Sequence, residues 1–145
     1  MTAPRLTPPA NVEAEEALLG ACLIDPTAAK RLPGILPGHF SLARNGAIWQ
    51  AIRETISAGD AVDFLTISAR LNGQADLGYL TGLLNAVPTS LHFSEYAAEL
   101  LRAFRARGWL ADASALARAA YDKDDDTARA VLDVVRDVEV PPAVE

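Results

Sequence analysis

The side chains able to do chemistry are few and scattered in this 145-residue chain. His39 and His92 sit in separate loops beside Phe40 and Phe93, and neither has a cysteine or a second histidine at metal-ligand spacing. Both read as loop or packing histidines rather than as general bases. The single cysteine, Cys22, falls on the apolar face of a predicted helix, where a small buried thiol belongs. Asp122, Asp124 and Asp126, with Asp133 after them, have the outline of a calcium loop. Thr127, however, stands where the sharp turn needs glycine, and Asp133 where a bidentate glutamate is usual, so a solvated turn is the reading. Glu13, Glu15 and Glu16 occupy the first turns of a helix, whose dipole already favours negative charge there, and they are assigned no acid/base role. No lysine follows any of the nine glycines and no G-x-x-x-x-G-K-[ST] run exists, which excludes nucleotide hydrolysis by a P-loop. No catalytic residue, cofactor or metal ligand emerges, and an enzyme would lack a convergent set of titratable groups.

One basic cluster stands out: Arg102, Arg105 and Arg107, followed by Trp109. Arginine interleaved with an aromatic side chain is a contact chemistry, so these three are candidate partner contacts. The plainer alternative is a solvated helix face, since they spread around the helix and Glu95 and Glu99 lie within pairing reach. Thirteen basic against nineteen acidic side chains leave a net charge of -6, which repels a phosphate backbone and argues against direct nucleic-acid binding. A lone cysteine suits a reducing compartment, no apolar run reaches the roughly 18 residues of a membrane span, and Met1–Ala10 lacks a signal peptide's apolar core. The expectation is a cytoplasmic protein that avoids membranes.

The elements that must position these side chains are helices. Half the residues are hydrophobic, and 28 alanines with 19 leucines favour helix, while β-branched and aromatic residues are sparse. Pro8-Pro9-Ala10-Asn11 leads into a helix over Val12–Ile24 with Asn11 as its cap, and Asp25-Pro26 stops it and starts a short second helix to about Leu32. Leu42–Ala58 follows an irregular Pro/Gly passage, then Phe64–Asn72 behind Asp63, and Leu77–Ala86 before Pro88. From Ser94 to Tyr121 there is no proline and a single glycine, Gly108, so one helix of roughly 42 Å is expected. Asp122–Asp126 is a polar turn, and Thr127–Val140 gives a return helix. The spacing predicts an all-α fold: a tail over 1–10, a head over 11–93, an antiparallel hairpin over 94–139 and a terminal stretch over 140–145.

The hairpin carries the candidate interface. Trp109, Ala113, Leu116 and Ala120 recur at steps of four, three and four, and Val131, Val135 and Val138 form a matching stripe on the return helix. Two helices are too thin to bury both faces, so the remaining apolar surface, with Leu100, Leu101 and Phe104 farther up, needs either the head or another chain. Self-association is the expectation.

Laid out this way, the chain resembles the N-terminal domain of DnaB-type replicative helicases from Pro8 to about Val138. The most specific piece is Pro8-Pro9 followed by Glu13-Ala14-Glu15-Glu16-Ala17-Leu18-Leu19-Gly20. Phe40, Ile48-Trp49, Val62-Asp63-Phe64-Leu65-Thr66, Tyr79-Leu80, Pro88, Tyr96-Ala97 and Arg107 follow in family order. Asn45 stands where the family usually shows histidine, Leu77-Gly78 replaces a glycine-rich step, and the common arginine appears one residue later as Arg102.

The resemblance implies a helical head and a hairpin whose exchange between chains builds dimers, three of which form a collar above a ring of motors. It also implies contact with a DnaG-type primase and with a helicase loader, while ATP hydrolysis would belong to a motor domain beyond Glu145. The expected role is a non-catalytic assembly and primase-docking module. The alternatives are a free-standing motor-less regulator of the helicase or primase, and a helix-turn-helix DNA binder using 44–58 and 64–72. The second of those helices carries only Arg70 as a basic residue.

Overall fold

The computed structural model describes residues 8–86 and 92–136, and these are all helix, turn or irregular chain, with no strand among them. Seven α-helices follow in order: α1 (Val12–Ile24), α2 (Pro26–Lys30), α3 (Ala43–Ser57), α4 (Phe64–Leu71), α5 (Leu77–Asn85), α6 (Phe93–Tyr121) and α7 (Asp125–Arg136). A 3₁₀ turn, Pro37–His39, stands between α2 and α3.

Helix starts follow local side-chain chemistry. Asn11 accepts the Ala14 N–H, Asp63 the Thr66 N–H and Asp76 the Tyr79 N–H, each filling one of the donors that the first turn leaves open. Asp25 does double duty, donating its backbone N–H to the Ala21 carbonyl as α1 ends and accepting from Thr27 as α2 begins. Asp124 accepts the Thr127 N–H and hydroxyl, so α7 starts at Asp125, two residues before the sequence-based expectation. Asn72, in the left-handed region at φ 48°, ends α4.

α1 is the centre of the head. Leu18, Leu19, Ala21 and Cys22 are fully enclosed, and α2, α3, α5 and α6 all pack on this helix. A helix covered from so many sides needs no polar face over its second half, which explains the apolar run from Ala17 to Ile24. Trp49 fills the space between α1 and the loop after α2, and its indole N–H donates to the Ile35 carbonyl at 2.9 Å. That bond lets a large polar-tipped ring be buried without an orphaned donor. Behind it, Gly46 allows α3 to lie directly against the 3₁₀ turn, for a Cβ there would fall 2.7 Å from the Pro37 carbonyl oxygen.

At 29 residues, α6 is about 43 Å long, and its two ends do different work. Ala97, Leu100 and Leu101 enter the head core, whereas Ala119 is the only other buried α6 residue among those described. α7 returns along α6 and, among the described residues, packs on that helix. Leu100 and Leu101, expected as part of the hairpin interface, are therefore head core: the first turns of the long helix lie on α1. Val138 falls outside the described residues.

Candidate interaction surface

The hairpin leaves an open apolar groove along one side of its seam. From α6 come Trp109, Asp112, Ala113 and Leu116, and from α7 come Val131, Leu132 and Val135, around a space of about 250 Å³. Five of the residues expected at the seam thus meet in one place: Trp109, Ala113, Leu116, Val131 and Val135. Ala120 does not join them. It is exposed, and Ala119 takes the buried position at 4% exposure, against the turn whose Asp124 N–H donates to the Ala119 carbonyl. Trp109 is 47% exposed, and Leu132 and Val135 are also exposed, so within one chain the groove is lined but not covered.

The basic cluster next to it divides into three separate jobs. Arg102 pairs with Glu99 one turn earlier. Arg105 lies over the Trp109 ring, its guanidinium carbon 4.8 Å from the centroid, and its Nε has no hydrogen-bond acceptor among the described residues. Arg107 turns inward: one terminal nitrogen donates to the Pro9 carbonyl at 3.0 Å and the other to the His39 carbonyl at 2.9 Å. As a candidate partner contact Arg107 is a poor fit, since its fork already ties the start of the described chain and the 3₁₀ turn to α6. Phe104 continues this junction with its ring 4.6 Å from that of His39. His39 Nδ1 accepts the Leu36 N–H, which requires that nitrogen to be unprotonated, and burial followed by the nearby Arg107 charge holds the imidazole pKa below its ordinary 6.5.

Inside the head, Glu15, Asn45 and Tyr79 form a buried network that sequence reasoning missed. Glu15, only 1% exposed, accepts the Ser41 N–H and, at 2.9 Å, the Asn45 side-chain amide. Asn45 in turn accepts the Tyr79 hydroxyl at 2.6 Å, with Glu16 3.2 Å away and Arg44 over the tyrosine ring. The three residues come from α1, α3 and α5, so the network bolts together helices far apart in the chain. Glu15 and Tyr79 stand within the family-like motifs and Asn45 at a departure from them, and attributing Glu15 to the helix dipole concealed the network.

The remaining chemistry-bearing residues do not converge. Cys22 is enclosed, and burial with the neighbouring Asp25 charge, partly opposed by Arg53, pushes its thiol up to about 12. Asp124 is occupied as the α7 cap, Arg70 pairs with Asp60 and Glu54, and no group of three metal-ligating side chains occurs among the described residues. No helix among the described residues is long and apolar enough to cross a membrane.

Comparison with known proteins places this architecture. Residues 7–102 match the model of the DnaB-like helicase N-terminal domain. The chain is 32% identical over 126 residues to the replicative DNA helicase DnaB of Geobacillus stearothermophilus, and 29% identical over 126 residues to the replicative DNA helicase DnaC of Bacillus subtilis. Each alignment covers 82% of this chain but 28% of the relative, so the chain spans little more than a quarter of those proteins' length. Its fold is that of the crystal structure of the N-terminal domain of DnaB helicase from Mycobacterium tuberculosis, with a TM-score of 0.83 at 21% identity, covering 90% of this chain and all of that one. A DnaB-like replicative helicase, described together with its interactions with primase, aligns with a TM-score of 0.72 at 25% identity over 93% of this chain and 32% of its own.

Proposed function

The chain belongs to the DnaB-like helicase N-terminal domain family, and from that premise we propose that it acts as a non-catalytic assembly and partner-docking module of a replicative helicase. The observation that carries this reading is the apolar groove along the α6–α7 seam, lined by half-exposed side chains that a single copy leaves open. Burying a Leu- or Val-sized side chain contributes about 1.5–3 kcal/mol before ordering costs, so closing this groove against a second copy offers enough to hold a dimer. The α6–α7 hairpin is the dimerisation arm and the head below it the docking body. Assembly of three dimers into a collar and docking of a primase and a loader extend the proposal, supported by the relatives' helicase identity and by a structural neighbour described with primase. Unwinding and ATP hydrolysis are assigned to the part of the relatives' length that lies outside the aligned residues.

The test is solution mass by light scattering at micromolar concentration, with a pull-down against the cognate primase. The wild-type chain is expected to be at least dimeric and to retain primase, and Leu116→Asp or Val135→Asp to shift it toward monomer with its helix content intact. A wild-type monomer, or an unchanged mass in both variants, would overturn the assembly reading.

A further inference from the structure

From the level at which the described part of α7 ends we infer that residues 137–140 of the same chain strap the head end of the groove, with Glu139 on the Arg105 guanidinium and Val138 on Trp109. The contact is made within one chain and holds whether or not a second copy closes the rest of the groove.

Arg105 is the arginine of the cluster whose charge stays open. Its guanidinium lies over the Trp109 ring, and its buried Nε has no acceptor among the described residues. The other two are occupied, Arg102 by Glu99 and Arg107 by the Pro9 and His39 carbonyls. Three and four residues away from Arg105 on α6 fall Leu101, Arg102, Gly108 and Trp109, none of them acidic, so its own helix supplies no counter-charge. A guanidinium laid on an indole with its donors open suits a carboxylate, which must arrive from another element.

The end of the chain carries one at the right place. Val131, Leu132 and Val135 of α7 line the groove opposite Trp109, Ala113 and Leu116 of α6. Past Arg136 the same spacing makes Val138, seven positions after Val131, and Glu139, seven after Leu132, the next residues on that face. The level agrees. Glu139 is fourteen positions beyond Asp125, where α7 begins, and fourteen positions before Tyr121, where α6 ends, stands Arg107, midway between Arg105 and Trp109. That is the span the Arg105 side chain bridges. Pro141-Pro142 cannot continue a helix, which leaves one turn for the contact. Its residues are Asp137, Val138, Glu139 and Val140, and acidic side chains in a last turn face a helix dipole that favours cations. Arg105 offsets that mismatch, while Val138 extends the apolar stripe onto the exposed Trp109 ring. Charge, spacing and chain length select the same four residues.

Quenching of tryptophan fluorescence by acrylamide tests the strap, because of the two tryptophans Trp49 is enclosed and Trp109 is exposed to the quencher. In the full chain at low salt, Glu139→Lys is expected to raise the quenching slope about twofold by releasing the strap. Arg105→Glu is expected to raise it as well, and Arg105→Glu together with Glu139→Lys in one chain to return it toward the wild-type value, with these differences fading as salt rises. An equimolar mixture of the two single variants is expected to keep the raised slope, since each chain retains its own mismatched pair. A wild-type slope in Glu139→Lys, or a double variant that recovers nothing, would overturn the strap. Recovery in the mixture would overturn it too, by assigning the carboxylate to a second copy.

Discussion

At the residue scale, the groups that look reactive on paper are given structural work by burial. Cys22 is held as a neutral thiol, so iodoacetamide at pH 8 is expected to label it only after unfolding; equal labelling of native and denatured chains would contradict its enclosure. His39 gives a pH dependence with a definite sign. Its lowered pKa means that the folded state binds the proton less readily than the unfolded state. Its contribution to stability is complete above the unfolded value of 6.5, declines as pH falls below that value, and is lost once the lowered folded pKa is passed. The melting temperature is expected to decrease over that interval in the wild type and to lose this component in His39→Gln, which cannot titrate. Asp25, Asp63 and Asp124, whose pKa values are lowered from 3.8 by capping hydrogen bonds, lose their contribution only at more acid pH and do not blur the comparison. Glu15 teaches the complementary lesson: its place in a helix's first turn was visible in the sequence, whereas its partners Ser41 and Asn45 lie 26 and 30 positions away and only folding brings them near.

At the element scale, two glycines separate packing from propensity. Gly46 of α3 faces the Pro37 carbonyl, and Gly46→Ala is expected to cost about 1–3 kcal/mol because backbone would have to move. Gly108 of α6 meets no atom within 4 Å at the position of an added Cβ, so Gly108→Ala is expected to stabilise the helix by about 0.5–1 kcal/mol. Thermal or urea unfolding checks both signs, and the same sign for both would discredit the packing argument. Helix boundaries were legible where a cap side chain was recognised within three residues of its target, as at Asn11, Asp25 and Asp63, whereas Asp124, read as part of the polar turn, caps α7 and starts it two residues earlier than expected. The 3₁₀ turn was not, since Pro37 and Gly38 permit many conformations and its place is set by α3 and by α6, whose Arg107 holds the His39 carbonyl.

At the scale of the whole molecule, α6 is a shared element, core of the head at one end and half of an open hairpin at the other. Stability should accordingly depend on assembly. If a second copy closes the groove, the melting temperature rises with protein concentration in the wild type, by mass action, and becomes concentration-independent in Leu116→Asp. A wild-type value that stays constant over a hundredfold range of concentration would count against an arm that is completed between chains.

What the sequence by itself determined is what short-range physics controls: seven helices, most of their caps, the polar hairpin turn and an apolar stripe that includes Trp109, Ala113 and Leu116. The tertiary structure decided which surplus surface the head absorbs, taking Leu100, Leu101 and the fork of Arg107 and leaving Trp109, Leu132 and Val135 in the open. It also chose Ala119 over Ala120 and joined Glu15 to Asn45 and Tyr79. The reason is common to all of these. Periodicity and capping depend on neighbours a turn away, whereas burial depends on which distant helix arrives at a given face, and that is settled by the packing of the whole chain at once.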